Sequence, residues 1–156
     1  MTDVAARLAE LDLELPEVAA PAGAYVPAVR TGSYVYTAGQ LPFVDGVLPA
    51  TGKVGASAGL VSPDDAKAMA ATCVLNALAA AGSVLGSLDE VVRVVKVTGF
   101  VASDPGFSGQ PGVINGASEL LGDVFGEAGR HARSAVGVAV LPLDSPVEVE
   151  LVLEVR

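Results

Sequence analysis

The segment Gly129-Arg130-His131-Ala132-Arg133-Ser134-Ala135-Val136, with Leu141-Pro142 and Glu148-Val149-Glu150 behind it, holds the residues best suited to chemistry. Read with the two-residue period of a strand, Val136, Val138 and Val140 fall on one face. Arg133, Ala135, Gly137 and Ala139 fall on the other, so a guanidinium stands beside small side chains. A planar fork over an open floor suits a carboxylate, held through two parallel hydrogen bonds. The plainer reading is that Arg133 only makes a salt bridge, within the core or across an interface. Glu148 is the candidate base, although Glu148, Glu150 and Glu154 share one face of an amphipathic strand and could all be solvated. If the last two strands form a hairpin centred on Asp144-Ser145, Arg133 lies opposite Arg156. Glu148 is then eight positions away, roughly 26 Å at a strand's rise per residue. The two could meet only if those strands are not simple partners or if a second subunit supplies one of them.

Composition narrows the alternatives. The 156 residues suit a single domain, 1–156, with residues 1–20 as an N-terminal helix or arm. Eighteen acidic residues against nine Lys and Arg give a net charge of −9 without a basic cluster, which argues against nucleic acid as a partner. Cys73 is the only cysteine and His131 the only histidine, which excludes a disulfide within the chain and a Cys/His zinc site. Cys73 reads as a buried, inert thiol, and His131 as a surface or interface residue rather than a base. Ala66 to Leu88 is apolar enough to raise the question of a membrane, but Lys67, Asn76, Gly82 and Gly86 interrupt it. The N-terminus lacks the pattern of a secretory signal, so a cytoplasmic protein is expected. No phosphate-binding Gly-Lys-Ser/Thr loop, Gly-x-Ser-x-Gly elbow or Cys–His pair is present.

The elements that must position these residues follow from local signals. Residues 3–12 read as a short amphipathic helix, with Leu8 and Leu11 on one side. Tyr25 to Arg30 and Tyr34 to Gln40 read as strands, and Asp45-Gly46 as a tight hairpin turn. Thr51 to Leu60 reads as a loop. Ser62-Pro63-Asp64-Asp65 opens a helix expected to stop at Gly82. The Val-rich run Val91 to Val101 predicts a central strand covered on both faces. A helix over Pro111 to Phe125 and strands over Ser134 to Leu141 and Val147 to Val155 complete the chain. The order β-β-β-α-β-α-β-β predicts an α+β fold, one mixed sheet covered by two helices.

The chain also resembles the RidA/YjgF (reactive intermediate/imine deaminase) family. The matching residues are Pro21-Ala22-Gly23-Ala24-Tyr25-Val26, Thr37-Ala38-Gly39-Gln40-Leu41-Pro42 and Lys96-Val97-Thr98-Gly99-Phe100-Val101 with Phe107. They continue through Asn115 and Glu119 to Ala132-Arg133-Ser134-Ala135-Val136, Leu141-Pro142 and Val147-Glu148-Val149-Glu150. The resemblance implies a chorismate-mutase-like homotrimer with three clefts between subunits. It also implies hydrolysis of enamine/imine intermediates such as 2-aminoacrylate to a 2-keto acid and ammonia, without metal or cofactor. By position, Arg133 would clamp the substrate carboxylate and Glu148 would orient or activate water. Tyr25 would line the cleft, Gly39 and Ala135 would contact substrate through their backbones, and Asn115 would border the site. Where the family has a cysteine and a serine this chain has Ala135 and Ala38, and residues 108–113 carry extra length, which marks a divergent branch. The alternatives are a non-catalytic trimer that binds a small carboxylate or ketoacid and, third, an endoribonuclease or translation inhibitor.

Overall fold

The computed structural model describes residues 3–156; residues 1 and 2 of the expected arm lie outside the described residues. The first helix, α1 (Val4–Glu10), is capped by the Asp3 carboxylate, which accepts the Ala6 N–H at 2.9 Å. Val4 and Leu8 bury its inner side and Leu11 packs beside them. The strands β1 (Ala28–Thr31) and β2 (Tyr34–Thr37) follow. The predicted third strand shrinks to a single bridge between Val44 and Val47. Its turn is the expected tight one, because Asp45 and Gly46 both take positive φ, 50° and 79°. Helix α2 (Pro63–Leu85) begins as the capping signal requires, with the Ser62 hydroxyl accepting the Asp65 N–H. It runs through Gly82, since an interior glycine costs a helix only about 1 kcal/mol relative to alanine. It stops instead at Gly86, where φ is 81°.

The remaining elements are β3 (Val91–Ala102), α3 (Gln110–Phe125), β4 (Ala132–Val138) and β5 (Val147–Val155). The five strands form one mixed sheet in the order β1-β2-β5-β3-β4, with only β3 and β4 parallel. The last two strands are therefore not a hairpin. The Val-rich β3 lies between them, and the chain crosses it through residues 139–146. Arg133 pairs with Val97 rather than facing Arg156, which overturns the 26 Å separation.

Helices α2 and α3 bury the same face of the sheet. Val147, Val149, Leu151, Leu153 and Val155 of β5 all point into that core, as do Val94, Val97 and Val101 of β3. Burial along β3 alternates, so within one chain this strand is covered on one face only. Its valines follow the alternation of the sheet and not the double coverage first expected. The other face leaves Tyr34, Tyr36 and Val136 exposed, with Phe100 and Val152 half-buried. The two helices cross closely at Gly116, where a Cβ would strike the carbonyl of Lys67. Among the described helices, α2 alone has the length and hydropathy to span a membrane, but it packs into this core with Asn76 bonded to the Leu41 and Phe43 carbonyls.

Candidate functional site

Arg133 projects from the edge strand β4 onto α3, on the core side of the sheet, and is half-buried. Its Nη1 donates to Asn115 Oδ1 at 2.8 Å and to Ser118 Oγ at 3.2 Å, and its Nη2 donates to the Pro111 carbonyl at 3.2 Å. These acceptors lie on successive turns of α3, where residues three and four apart share a face. All three are neutral, so the guanidinium is held without being neutralised. The ion pairs among the described residues are Arg7–Glu10, Lys67–Glu119 and Arg130–Glu127, and none uses Arg133. The salt-bridge reading of Arg133 therefore finds no partner within the described residues of this chain. Ala135 follows on the same face, half-buried against the core, and Gly137 lies next to Gln110 and Ser103. His131, placed at the surface or an interface by its sequence, is bonded to Ser118 and Gly129 at the same locus.

Glu148 occupies a different place. It stands near the start of β5, half-buried, paired in register with Phe100. Four steps from Tyr36 to Gln40 oppose three from Val152 to Val149, so Ala38-Gly39 form a one-residue bulge against β5. The bulge explains the glycine, because a Cβ on Gly39 would collide with Glu148 Oε1. Among the described residues, the Gly39 N–H and C=O take part in no backbone hydrogen bond. A cavity of about 490 Å³ opens here, lined by Pro21, Tyr25, Leu41, Phe43, Leu143 and Glu148. Tyr25 is 51% exposed, with its hydroxyl accepting the Ala22 N–H. Burial, and to a lesser extent the charge of Glu150, raises the Glu148 carboxyl above its ordinary value. Burial, with Glu148 adding to it, pushes the Cys73 thiol well up, so it is no thiolate nucleophile.

Tyr25, Gly39 and Glu148 thus come together, and so do Arg133, Asn115 and Ala135, but the two groups do not meet in one chain. Arg133 is level with Val97, whose side chain is in the core, whereas Glu148 is level with Phe100 on the opposite face. Among the described residues, no three His, Cys, Asp or Glu converge as metal ligands. The sequence reading missed Ser118, although its position one turn beyond Asn115 is the signal that places it on the Arg133 face. It also missed the apolar lining from Leu41, Phe43 and Leu143.

A mixed five-stranded sheet with both long helices on one face, a guanidinium on neutral supports and a carboxyl beside a glycine bulge together define a chorismate-mutase-like α+β protein. The chain belongs to the YjgF/chorismate mutase-like, putative endoribonuclease family, whose profile matches residues 5–155. It is 46% identical to Protein TCP17 of Trypanosoma cruzi over 154 residues, covering 98% of this chain and 94% of that protein. Protein Atu1372 of Agrobacterium tumefaciens, of unknown function, is 42% identical, with a TM-score of 0.88 and coverage of 98% and 92%. A putative endoribonuclease of Shewanella oneidensis MR-1 is 35% identical, with a TM-score of 0.92 and coverage of 99% and 100%.

Proposed function

We propose that this protein hydrolyses reactive 2-imino acids, formed from enamines such as 2-aminoacrylate, to 2-keto acids and ammonia. It would do so as a cytoplasmic homotrimer whose clefts pair the Arg133 group of one chain with the Glu148 group of the next. The observation that carries the reading is the unneutralised Arg133 guanidinium, held in place by Asn115, Ser118 and Pro111 and left with Nε and one Nη2 hydrogen unused among the described residues. Two such donors on one planar group match the two oxygens of a carboxylate. The uncovered sheet face with Tyr34, Tyr36, Phe100 and Val136 supports assembly, because a sheet with one bare apolar face calls for a second layer.

In the proposed reaction Arg133 holds the substrate carboxylate beside the imine carbon. Glu148, as carboxylate, takes a proton from water while the water oxygen bonds to that carbon and the C=N π electrons move to nitrogen. The same proton then passes from Glu148 to the nitrogen, which completes a neutral carbinolamine. Glu148 next takes the carbinolamine hydroxyl proton as the C=O of the keto acid forms and hands it to the nitrogen as the C–N bond breaks, so that ammonia leaves and the carboxylate is restored. An imine is already electrophilic, so positioning and modest proton transfer suffice. A carboxyl raised by burial is better matched to work near neutrality than an ordinary one.

Alanine at 38 and 135 removes two polar side chains from the cleft and favours a second reading, a trimer that binds a small ketoacid without turning it over. Freshly generated imino acids with ammonia release as the readout decide between them, alongside light scattering for three chains per particle. Release above the spontaneous rate supports the deaminase. Binding of 2-oxobutyrate through Arg133 without release supports the binder, and a stable monomer removes the shared cleft.

A further inference from the structure

Ser118 behaves unlike the other hydroxyl residues in the long helices. A serine or threonine inside a helix usually bonds back to a carbonyl three or four residues earlier. Thr72 does so with the Ala68 carbonyl at 3.4 Å, and Ser83 with the Ala80 carbonyl at 2.7 Å. Ser118, in the middle of α3, instead reaches across to β4 and the residues before it. Its Oγ lies 2.8 Å from His131 Nε2 and accepts from Arg133 Nη1 at 3.2 Å.

The direction of each hydrogen bond follows from what each atom can do. His131 Nδ1 faces the Gly129 carbonyl at 2.6 Å, and a carbonyl only accepts, so Nδ1 carries the ring hydrogen. In the neutral ring Nε2 then has only a lone pair, and it must accept the hydrogen of the Ser118 hydroxyl. With its hydrogen committed there, Ser118 Oγ presents a lone pair to Arg133. The result is a chain running from Arg133 to Ser118, then to His131, then to the Gly129 carbonyl. Asn115 and Pro111 supply the other two supports for the guanidinium. Three supports set both the position and the rotation of a planar group, whereas two leave it free to turn about the line joining them.

We infer that His131 and Ser118 are positioning residues that set the rotation of the Arg133 guanidinium for a carboxylate ligand, with His131 acting only through Ser118. The inference rests on the carboxylate-binding role proposed above for Arg133, and it gives the lone histidine a task other than that of a base. A group that only orients a binding cation affects ground state and transition state alike, so its loss raises KM and leaves kcat nearly unchanged.

The test uses S118A, H131L, H131Q and the double variant S118A/H131L in the full chain. Calorimetry with 2-oxobutyrate gives Kd, ammonia release gives KM and kcat, and ¹⁵N NMR reads the histidine tautomer and the Arg133 side-chain signals without any ligand. S118A and H131L should each weaken 2-oxobutyrate and raise KM by roughly fivefold to tenfold, the scale of one lost hydrogen bond, with kcat within about twofold. H131Q, whose amide oxygen can accept the Ser118 hydrogen, should recover most of the loss. The double variant should match the single ones, because both changes break the same chain. NMR should show His131 protonated at Nδ1, and faster Arg133 Nη rotation in S118A and H131L. An Nε2-protonated ring, unchanged Arg133 signals, additive losses or a fall in kcat alone would overturn the relay. If the wild-type protein neither binds 2-oxobutyrate nor releases ammonia, the deaminase reading falls, and the NMR result still decides whether His131 and Ser118 orient Arg133.

Discussion

Arg133 and Glu148 are held by opposite means. One helix presents three neutral acceptors to the guanidinium, so its geometry is set before any ligand arrives. The carboxyl makes no hydrogen bond among the described residues; a bulge and an apolar cavity wall surround it. Solvation is withheld from the anion while hydrogen bonds are supplied to the cation. The first arrangement suits a group that must bind an anion unchanged throughout a reaction, and the second suits one that must gain and lose a proton. That the two lie on opposite faces of the sheet explains how both stay unpaired in one chain. Two ions of opposite sign left without partners at separate places are what a site shared between chains requires.

The largest effect is expected on the cation side. Arg133→Ala should lower ammonia release by well over tenfold, in line with about 2–5 kcal/mol for a charged hydrogen-bonded pair. Arg133→Lys should lose nearly as much, because an ammonium cannot replace the planar grip or reach all three supports. Both variants should keep the wild-type oligomer by light scattering. Full activity in the alanine variant would make Arg133 structural.

Glu148→Gln should lower kcat more than it weakens ketoacid binding, since a base acts in the transition state. In the wild type kcat/KM should rise with pH as the raised carboxyl ionises, at a value above the ordinary 4.5, and Glu148→Gln should lack that limb. Stability moves the opposite way with pH. A carboxyl raised by folding adds stability below the ordinary value and loses it as pH rises through the folded one. Chemical denaturation should therefore show Glu148→Gln gaining on the wild type across that window. A flat difference would mean that burial does not perturb Glu148.

A smaller, more local effect is expected at the bulge. Gly39→Ala puts a methyl where the Glu148 carboxylate lies, and overpacking of this kind costs about 1–3 kcal/mol. Thermal unfolding should show the loss, and turnover should fall while Arg133-dependent ketoacid binding persists. Equal loss of both would mean that the two halves are coupled through the fold of one chain.

Local signals in the sequence located much of this architecture. The Ser62 cap, the Asp45-Gly46 turn and the alternation along β5 each predict what is found, since a cap, a two-residue turn and a period-two strand are specified by neighbouring residues. The order of strands is not local. Nothing near Arg133 announces that β3 will lie between β4 and β5, so the hairpin expectation failed. The same holds for β3, whose valines fit one covered face as well as two. As candidates, Arg133 and Glu148 were legible by residue type, and Asn115 only by resemblance to a family. Ser118 was not, because its role depends on α3 meeting β4 at one turn's spacing.

Co-expression of Arg133→Ala chains with Glu148→Gln chains tests the shared site most directly. In a randomly mixed cyclic trimer, roughly a quarter of the clefts would combine an intact Arg133 from one chain with an intact Glu148 from its neighbour. Ammonia release, nearly absent from either variant alone, should return to about a quarter of the wild-type rate in the mixture. No recovery in verified mixed oligomers would show that the two residues do not act across chains.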